Sequence, residues 1–233
     1  KAARFVTGGG FGDISETPGG AEYPALNLSD KYEPVTAKKY GGIARLTLEA
    51  MVNDDLAMLT GQAAMLGMAA ARKEDAVVYG LLSANAALTD GTALFHADHA
   101  NLGSAGAPTA TTLGELWKLI RLQTGINGEK LTLQPRVVVA AETLSFTISQ
   151  LLSPYYQPTS ASGAMTDQLR ALTFVTTPHL ASGYYMLCAG LESPIGFGRL
   201  AGENGPVVES EQDISRDVLA HPVRNVFAAR VID

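Results

Sequence analysis

Two histidines and an aspartate lie within four residues in the segment "LFHADHANLG". His96, Asp98 and His99 are residue types that bind metals or transfer protons. A zinc site needs three or four protein ligands, but the single cysteine and the other two histidines, His179 and His221, are distant in sequence. A base oriented by an aspartate would also need an activated nucleophile, and no nucleophile motif is present. We therefore expect a hydrogen-bonded structural turn, with a metal-dependent hydrolase using these three residues as an alternative.

The composition is that of a globular chain. The 233 residues are 46% hydrophobic and 17% charged, and 24 glycines and 11 prolines imply many turns. No apolar run approaches the length of about 18 residues that a membrane-spanning helix needs. The net charge of -6 disfavours a dedicated nucleic-acid binder, which would carry a basic face, and leaves non-specific contact with nucleic acid open. A single cysteine excludes an internal disulfide.

Residues 1–45 look unlike the start of a compact domain, because glycine, proline and charged residues dominate them. Extended segments at Arg4–Thr7 and Tyr32–Ala37 are separated by the turn signal "TPGG", and an isolated two-stranded ribbon is marginal in water. This arm must therefore pack on the body of the protein or on a neighbour. Its candidate subunit contacts are Phe11, Tyr23, Tyr32, Lys38, Lys39 and Tyr40. Replacing Tyr32 or Tyr40 is expected to harm assembly more than folding.

A long helix is predicted after the arm. Apolar residues recur at three- and four-residue steps from Leu56 to Leu82, and Asn53 or Asp54 offers an N-cap. The pattern predicts about 25–30 helical residues. Within it, "RKED" at Arg72–Asp75 is interpreted as a solvated helix face with local ion pairs.

The order of elements after this helix is mixed α+β rather than a regular βαβ alternation. Asp90-Gly91 is a hairpin signal, Thr112 with Glu115 predicts a helix start through a capping box, and Gly125 predicts its C-terminal cap. "PRVVVAA" reads as a buried strand, and "ETLSFTISQLLSP" as a short helix stopped by proline. Further strands are predicted at Ala171–Thr176, Tyr184–Ala189, Val207–Ser210 and Val223–Ile232.

Several segments closely resemble the major head subunits of Mu-like tailed bacteriophages. They are "KKYGGIARLTLEAMVNDDLAML", "LGMAAARKEDAVVYGLLSAN" and "DGTALFHADHANLG", followed by "GINGEKLTLQPRVVVAAETL" and "HPVRNVFAARVID". The resemblance covers most of the chain from about Phe5 and is densest from Lys38 to Gly103. It implies a Hong Kong 97-type capsid fold, in which an extended loop, here Gly8–Gly42, lies over an adjacent subunit and a long spine helix, here about Asp54–Ser83, supports the shell.

The resemblance also implies a division of the chain into four parts. Residues 1–45 would form the N-terminal arm and extended loop, and residues 46–126 a peripheral domain with the spine helix. Residues 127–202 would form an axial domain, and residues 203–233 the return strands of the peripheral domain.

The function implied by the resemblance is assembly, without enzymatic activity or a cofactor. Hexamers and pentamers of the chain would build the icosahedral head shell around double-stranded DNA, with non-specific contact to the DNA. A prohead protease or scaffold, a portal and decoration proteins are the expected partners, and no membrane is expected. The chain would assemble in the bacterial host cytoplasm and reside in the virion capsid. Closed symmetry adds individually weak interfaces together.

Two further alternatives share parts of this interpretation. An encapsulin-type nanocompartment would use the same fold to enclose cargo enzymes. A scaffold or tail-associated phage protein would form rings or tubes instead of closed shells.

Overall fold

The computed structural model describes residues 2–8, 14, 16–20, 22–23, 25, 30–47, 56–153, 155, 166–188, 193–213 and 218–232. The chain divides into two compact units. The first unit consists of Lys1–Ala3, Pro34–Gly80 and Gly196–Arg230, and the second of Arg4–Glu33, Leu81–Ile195 and Val231–Asp233. The four-part division into arm, peripheral, axial and return segments stays a prediction.

Helices and strands are mixed along the described parts of the chain, which confirms the predicted α+β class. The strands are β1 (Ala2–Gly8), β2 (Asp30–Thr36), β3 (Lys38–Thr47), β4 (Pro135–Ala141), β5 (Thr173–Thr177), β6 (Tyr184–Cys188), β7 (Ile195–Arg199), β8 (Val207–Val208), β9 (Glu211–Asp213) and β10 (Val218–Val231). The α-helices are α1 (Leu56–Ala84), α2 (Ala110–Arg121), α3 (Ser145–Leu152) and α4 (Asp167–Arg170). None of them has the length and hydrophobicity needed to cross a bilayer.

The first unit is built around β10, the central strand of a five-stranded sheet. β3 pairs with it antiparallel over ten residues, so that Arg224 lies opposite Gly41 and Val223 opposite Gly42. β7, β8 and β9 lie along the other side of β10. Three aromatic rings pack together on this sheet, with Phe227 at the centre and only 1% exposed. The centroid of the Phe227 ring lies 4.8 Å from that of Tyr40 and 5.7 Å from that of Phe197.

The predicted long helix is confirmed as α1, which has 29 residues. It ends where Asn85 adopts a left-handed conformation with φ of 44°, a common way to terminate a helix. The N-cap predicted at Asn53 or Asp54 lies outside the described residues.

The second unit contains a three-stranded sheet in which β5 runs parallel and β6 antiparallel to the central strand β4. Helix α2 packs against this sheet through Leu113, which is fully buried with Val138 and Met186. The predicted buried strand is therefore confirmed, because residues 138–141 of β4 are buried and Val138 belongs to this core. The short helix predicted after it is also present, as α3.

The cap predictions for α2 were wrong at both ends. The N-cap is Thr109, whose hydroxyl accepts from the backbone N–H of Thr112 at 3.2 Å, while the Thr112 hydroxyl accepts from the backbone N–H of Thr109 at 2.9 Å. The capping box is therefore one turn earlier than the predicted pair of Thr112 and Glu115. Gly125 does not cap the helix, because its N–H donates to the carbonyl of Glu129 in the following turn.

Sequence patterns missed β3, β7 and β9 and placed the start of β10 five residues too late, at Val223. In the sequence, the Gly41-Gly42 pair predicts an interruption of strand β3, and Pro222 predicts an interruption of strand β10. Both segments are held extended by their pairing with each other, in which Pro222 lies opposite Ile43. Tertiary pairing thus overrides the local preference. The Asp90-Gly91 turn is confirmed by the hydrogen bond from the Leu88 N–H to the Thr92 carbonyl, 2.9 Å long.

Candidate assembly surfaces and the His96–His99 turn

The segment "FHADHANLG" forms a tight turn that is hydrogen-bonded within itself. Ala97–His99 form a single 3-10 turn that ends at Ala100, which has a left-handed φ of 49°. His96 Nδ1 accepts from the backbone N–H of Asp98 at 3.2 Å. The side-chain amide of Gln123 donates to the last two carbonyls of the turn, at 3.1 Å each. The expected structural turn is therefore present in the fold.

His99 ties the two ends of the preceding loop together. Its Nδ1 lies 3.0 Å from the carbonyl oxygen of Leu94, and its Nε2 lies 2.8 Å from Oδ2 of Asp90. Both ring nitrogens therefore face oxygen atoms of the same loop, and the contact of Nε2 with the carboxylate holds Asp90 against the turn.

This geometry does not fit a metal-dependent hydrolase. A histidine ligand binds a metal through a free ring nitrogen, and both nitrogens of His99 are already in contact with protein oxygen atoms. Asp98, the carboxylate expected to orient His99, lies 3.3 Å from Nδ1 of His96 instead. Among the residues that the structure describes, no group of three or more His, Cys, Asp and Glu side chains is arranged to hold a metal ion.

The hydrogen bond from His99 holds the pKa of Asp90 below its usual value of 3.8, and the backbone N–H of Thr92 adds to the effect. Because the pKa is lowered in the folded state, the contact stabilises the fold above pH 3.8 and this contribution is lost as the pH falls through the folded-state pKa. We expect Asp90→Asn to be less stable than the wild type at neutral pH and to lose stability less steeply in acid. Urea unfolding midpoints measured along an acid series check this, and parallel curves for the two chains would contradict it.

The base of the arm is anchored within the chain. Glu33 of β2 is buried, and its Oε1 accepts from the backbone N–H of Thr89 at 2.8 Å. The Thr89 hydroxyl donates to the carbonyl of Tyr32 at 3.3 Å, and the guanidinium of Arg4 lies 4.5 Å from the centre of the Tyr32 ring. β1 and β2 pair with each other, which confirms the pair of extended segments predicted from the sequence. This part of the arm therefore packs on its own subunit.

The six candidate contact residues have different surroundings. Tyr23 is 86% exposed, so its ring is available to another copy of the chain. Tyr40 is half-buried and stacks on Phe227, so replacing it removes a contact inside the subunit. The expectation that its loss harms assembly more than folding no longer follows for Tyr40. Of the others, Tyr32, Lys38 and Lys39 are exposed, and Phe11 lies outside the described residues.

A polar cluster fastens α1 to the sheet of the first unit. The carboxylate of Glu74 accepts from the Arg199 guanidinium at 2.8 and 3.0 Å and from the Asn225 side-chain amide at 2.8 Å. The Glu74 side chain is only 15% exposed, so the interpretation of "RKED" as a solvated face with local ion pairs was wrong at this position. Its partners lie 125 and 151 residues away in sequence, and no local pattern could have indicated them.

The described structure shares its fold with solved structures from several phages, one of which is a capsid. Solved structures from Mycobacterium phage Adephagia and Microbacterium phage Oxtober96 both match with a TM-score of 0.62, at 14% and 12% identity, over 99% of this chain and 79% and 80% of theirs. A structure of the bacteriophage JBD30 capsid matches with a TM-score of 0.60 at 13% identity, over 76% of this chain and 86% of its own. No curated protein matches the chain.

Residues 31–233 match the phage capsid protein family. The chain belongs to this family. The match spans both compact units and all described strands except β1 and the first residue of β2. The predicted function, a phage major capsid protein, is thereby confirmed: this is a structural protein of the bacteriophage virion, and its candidate functional sites are surfaces for contact between copies.

Proposed function

We propose that this phage capsid protein has the Hong Kong 97-type fold of Mu-like tailed phages. On this proposal it assembles as hexamers and pentamers into an icosahedral head around double-stranded DNA. The family match over residues 31–233 carries the proposal, because it covers the arm base, the long helix and the central strand together. The 29-residue α1 fits the spine helix, and the paired strands β1 and β2 fit the base of an extended loop.

The exposed residues of the arm support a role in contact between copies. Ile14 and Tyr23 are each 86% exposed, although isoleucine and tyrosine side chains are usually at least partly buried in folded proteins. They lie between the two anchored strands of the arm, so a neighbouring subunit can cover them without any change to the core. Specific oligomer interfaces concentrate aromatic side chains in this way.

The net negative charge of the chain indicates how strongly the shell would bind DNA. With a net charge of -6, the shell would confine DNA as a wall and make few attractive contacts with phosphates. Assembly in the host cytoplasm, a prohead protease or scaffold, a portal and decoration proteins belong to the same proposal, as do an axial domain near residues 127–202 and return strands in residues 203–233.

Light scattering of the purified chain at increasing concentration tests the proposal. We expect the mass to rise from monomer to capsomers or closed shells, and we expect Tyr23→Ser to shift this rise to higher concentration. The thermal unfolding of that variant should match the wild type, because Tyr23 contributes little to a core. A wild-type chain that stays monomeric at the highest attainable concentration would argue against self-assembly.

A further inference from the structure

We propose that the five-stranded sheet of the first unit continues from one copy of the chain to the next. The outer edge of β3 in one copy would pair with the β8–β9 edge of a second copy. This inference rests on the proposed self-assembly and names the surfaces that would carry it.

The outer edge of β3 has the properties of a strand that can accept a partner. Among the described residues, the ten-residue strand β3 pairs with β10 alone, so no described strand lies along its other edge. Ile43, near the middle of the strand, is 55% exposed, and a Cβ added at Gly42 would meet nothing within 4 Å. An exposed edge of this length is a template for a further strand.

The charged residues of β3 are all positive. The strand "KKYGGIARLT" contains three basic residues and no acidic one. Lys38, Lys39 and Arg45 are all exposed, and none of them belongs to an ion pair among the described residues.

The opposite edge of the same sheet carries the complementary charge. The stretch "VVESEQD", from β8 to β9, contains three acidic residues and no basic one. Glu211 is exposed and has no ion-pair partner among the described residues, while Glu209 is 56% exposed and reaches Arg224 at 3.1 Å. No described strand pairs with the outer side of β8 or β9.

Complementary edges select a head-to-tail contact. Two β3 edges would repel each other through six positive charges, three from each strand, and two β8–β9 edges would repel each other in the same way. Only the basic edge against the acidic edge is attractive. A contact between two different surfaces of the same chain is heterologous, and rotation about an axis closes such contacts into rings. Rings of this kind are the form that capsomers require.

Basic residues on an edge strand also serve to prevent aggregation, and the two roles differ in one respect. A protective charge works whatever its sign, provided that it repels. A charge that selects a partner works only with the opposite sign across the interface. Reversing one edge, and then both edges, separates the two roles.

The experiment compares three reversed chains with the wild type by light scattering. Lys39→Glu with Arg45→Glu makes the β3 edge net negative, and Glu211→Lys with Asp213→Lys makes the opposite edge net positive. Either change alone should raise the concentration needed for half-maximal assembly by about tenfold or more, since it sets like charges against each other. The chain that carries all four substitutions should regain assembly, because its edges are complementary again.

A matched control reverses two exposed cations of the second unit, Lys130→Glu with Arg136→Glu, which alters the net charge of the chain by the same amount. It should assemble like the wild type. Normal assembly of the chain with the reversed β3 edge, failure of the fourfold variant to recover, or an equal loss in the control would each overturn the inference while leaving the proposed function intact. Failure of the wild type to assemble removes the proposed function, and this inference with it. Unchanged thermal unfolding of each variant verifies that the fold is retained.

Discussion

Replacing Phe227 with alanine is expected to lower the free energy of unfolding by about 3–5 kcal/mol, the usual range for losing a buried aromatic ring. Phe227 is 1% exposed and lies on the central strand β10, where its ring stacks against Tyr40 of β3 and Phe197 of β7. Removing it leaves a cavity that borders both neighbouring strands. Because β10 holds the sheet of the first unit together, we expect assembly to fail along with folding at moderate temperature.

The matched control is Phe146→Ala, which removes the same ring from a position that is 78% exposed. Its effect on the free energy of unfolding should stay within about 0.5 kcal/mol, as for other exposed positions. Denaturant titration of the two variants and the wild type measures the difference. Equal losses from Phe227→Ala and Phe146→Ala would contradict the assignment of Phe227 to the core.

Replacing either of two adjacent glycines in β3 with alanine adds the same methyl group, but we expect opposite effects on the free energy of unfolding. A Cβ built at Gly41 lies 2.6 Å from the backbone carbonyl oxygen of Val223, so the β3–β10 pair must shift to admit it. We expect Gly41→Ala to destabilise the chain by about 1–3 kcal/mol, the usual cost of overpacking. A Cβ at Gly42 meets nothing within 4 Å, and Gly42 has no positive φ.

Gly42→Ala is therefore expected to stabilise the chain by about 0.4–1 kcal/mol, because alanine restricts the unfolded state without straining the folded one. Thermal and denaturant unfolding of the two single variants provide the comparison. The two changes have identical chemistry, so similar effects at both positions would mean that β3 and β10 do not approach each other as closely as the structure shows.

The sequence predicted the elements that local patterns encode. The three- and four-residue apolar spacing marks α1, the run "PRVVVAA" marks β4, and Asp90-Gly91 marks a turn, because in each case the residues that determine the element are neighbours in sequence. Those predictions needed no knowledge of the rest of the chain.

Elements held by distant partners escaped the sequence patterns. β3 is extended because it pairs with β10, which lies about 180 residues later. In the sequence its two glycines predict a break, and only the close approach of the Val223 carbonyl shows why a glycine is needed at Gly41. The same limit applies to the polar contacts that hold the units together internally. The hydrogen bond from Arg199 to the Glu74 carboxylate, and the one from the Thr89 N–H to Glu33, join residues that are far apart in sequence, so no local spacing predicts them. The His96–His99 turn was predictable because the partners of its histidine side chains are local, whereas its contact with Gln123 was not predicted.

The most direct test of the central claim, that this capsid protein assembles with copies of itself, is negative-stain electron microscopy of the concentrated wild-type chain. The proposed function predicts rings of capsomer size or closed shells in the images. A field of separate monomers, at concentrations where the chain is folded by circular dichroism, would contradict it.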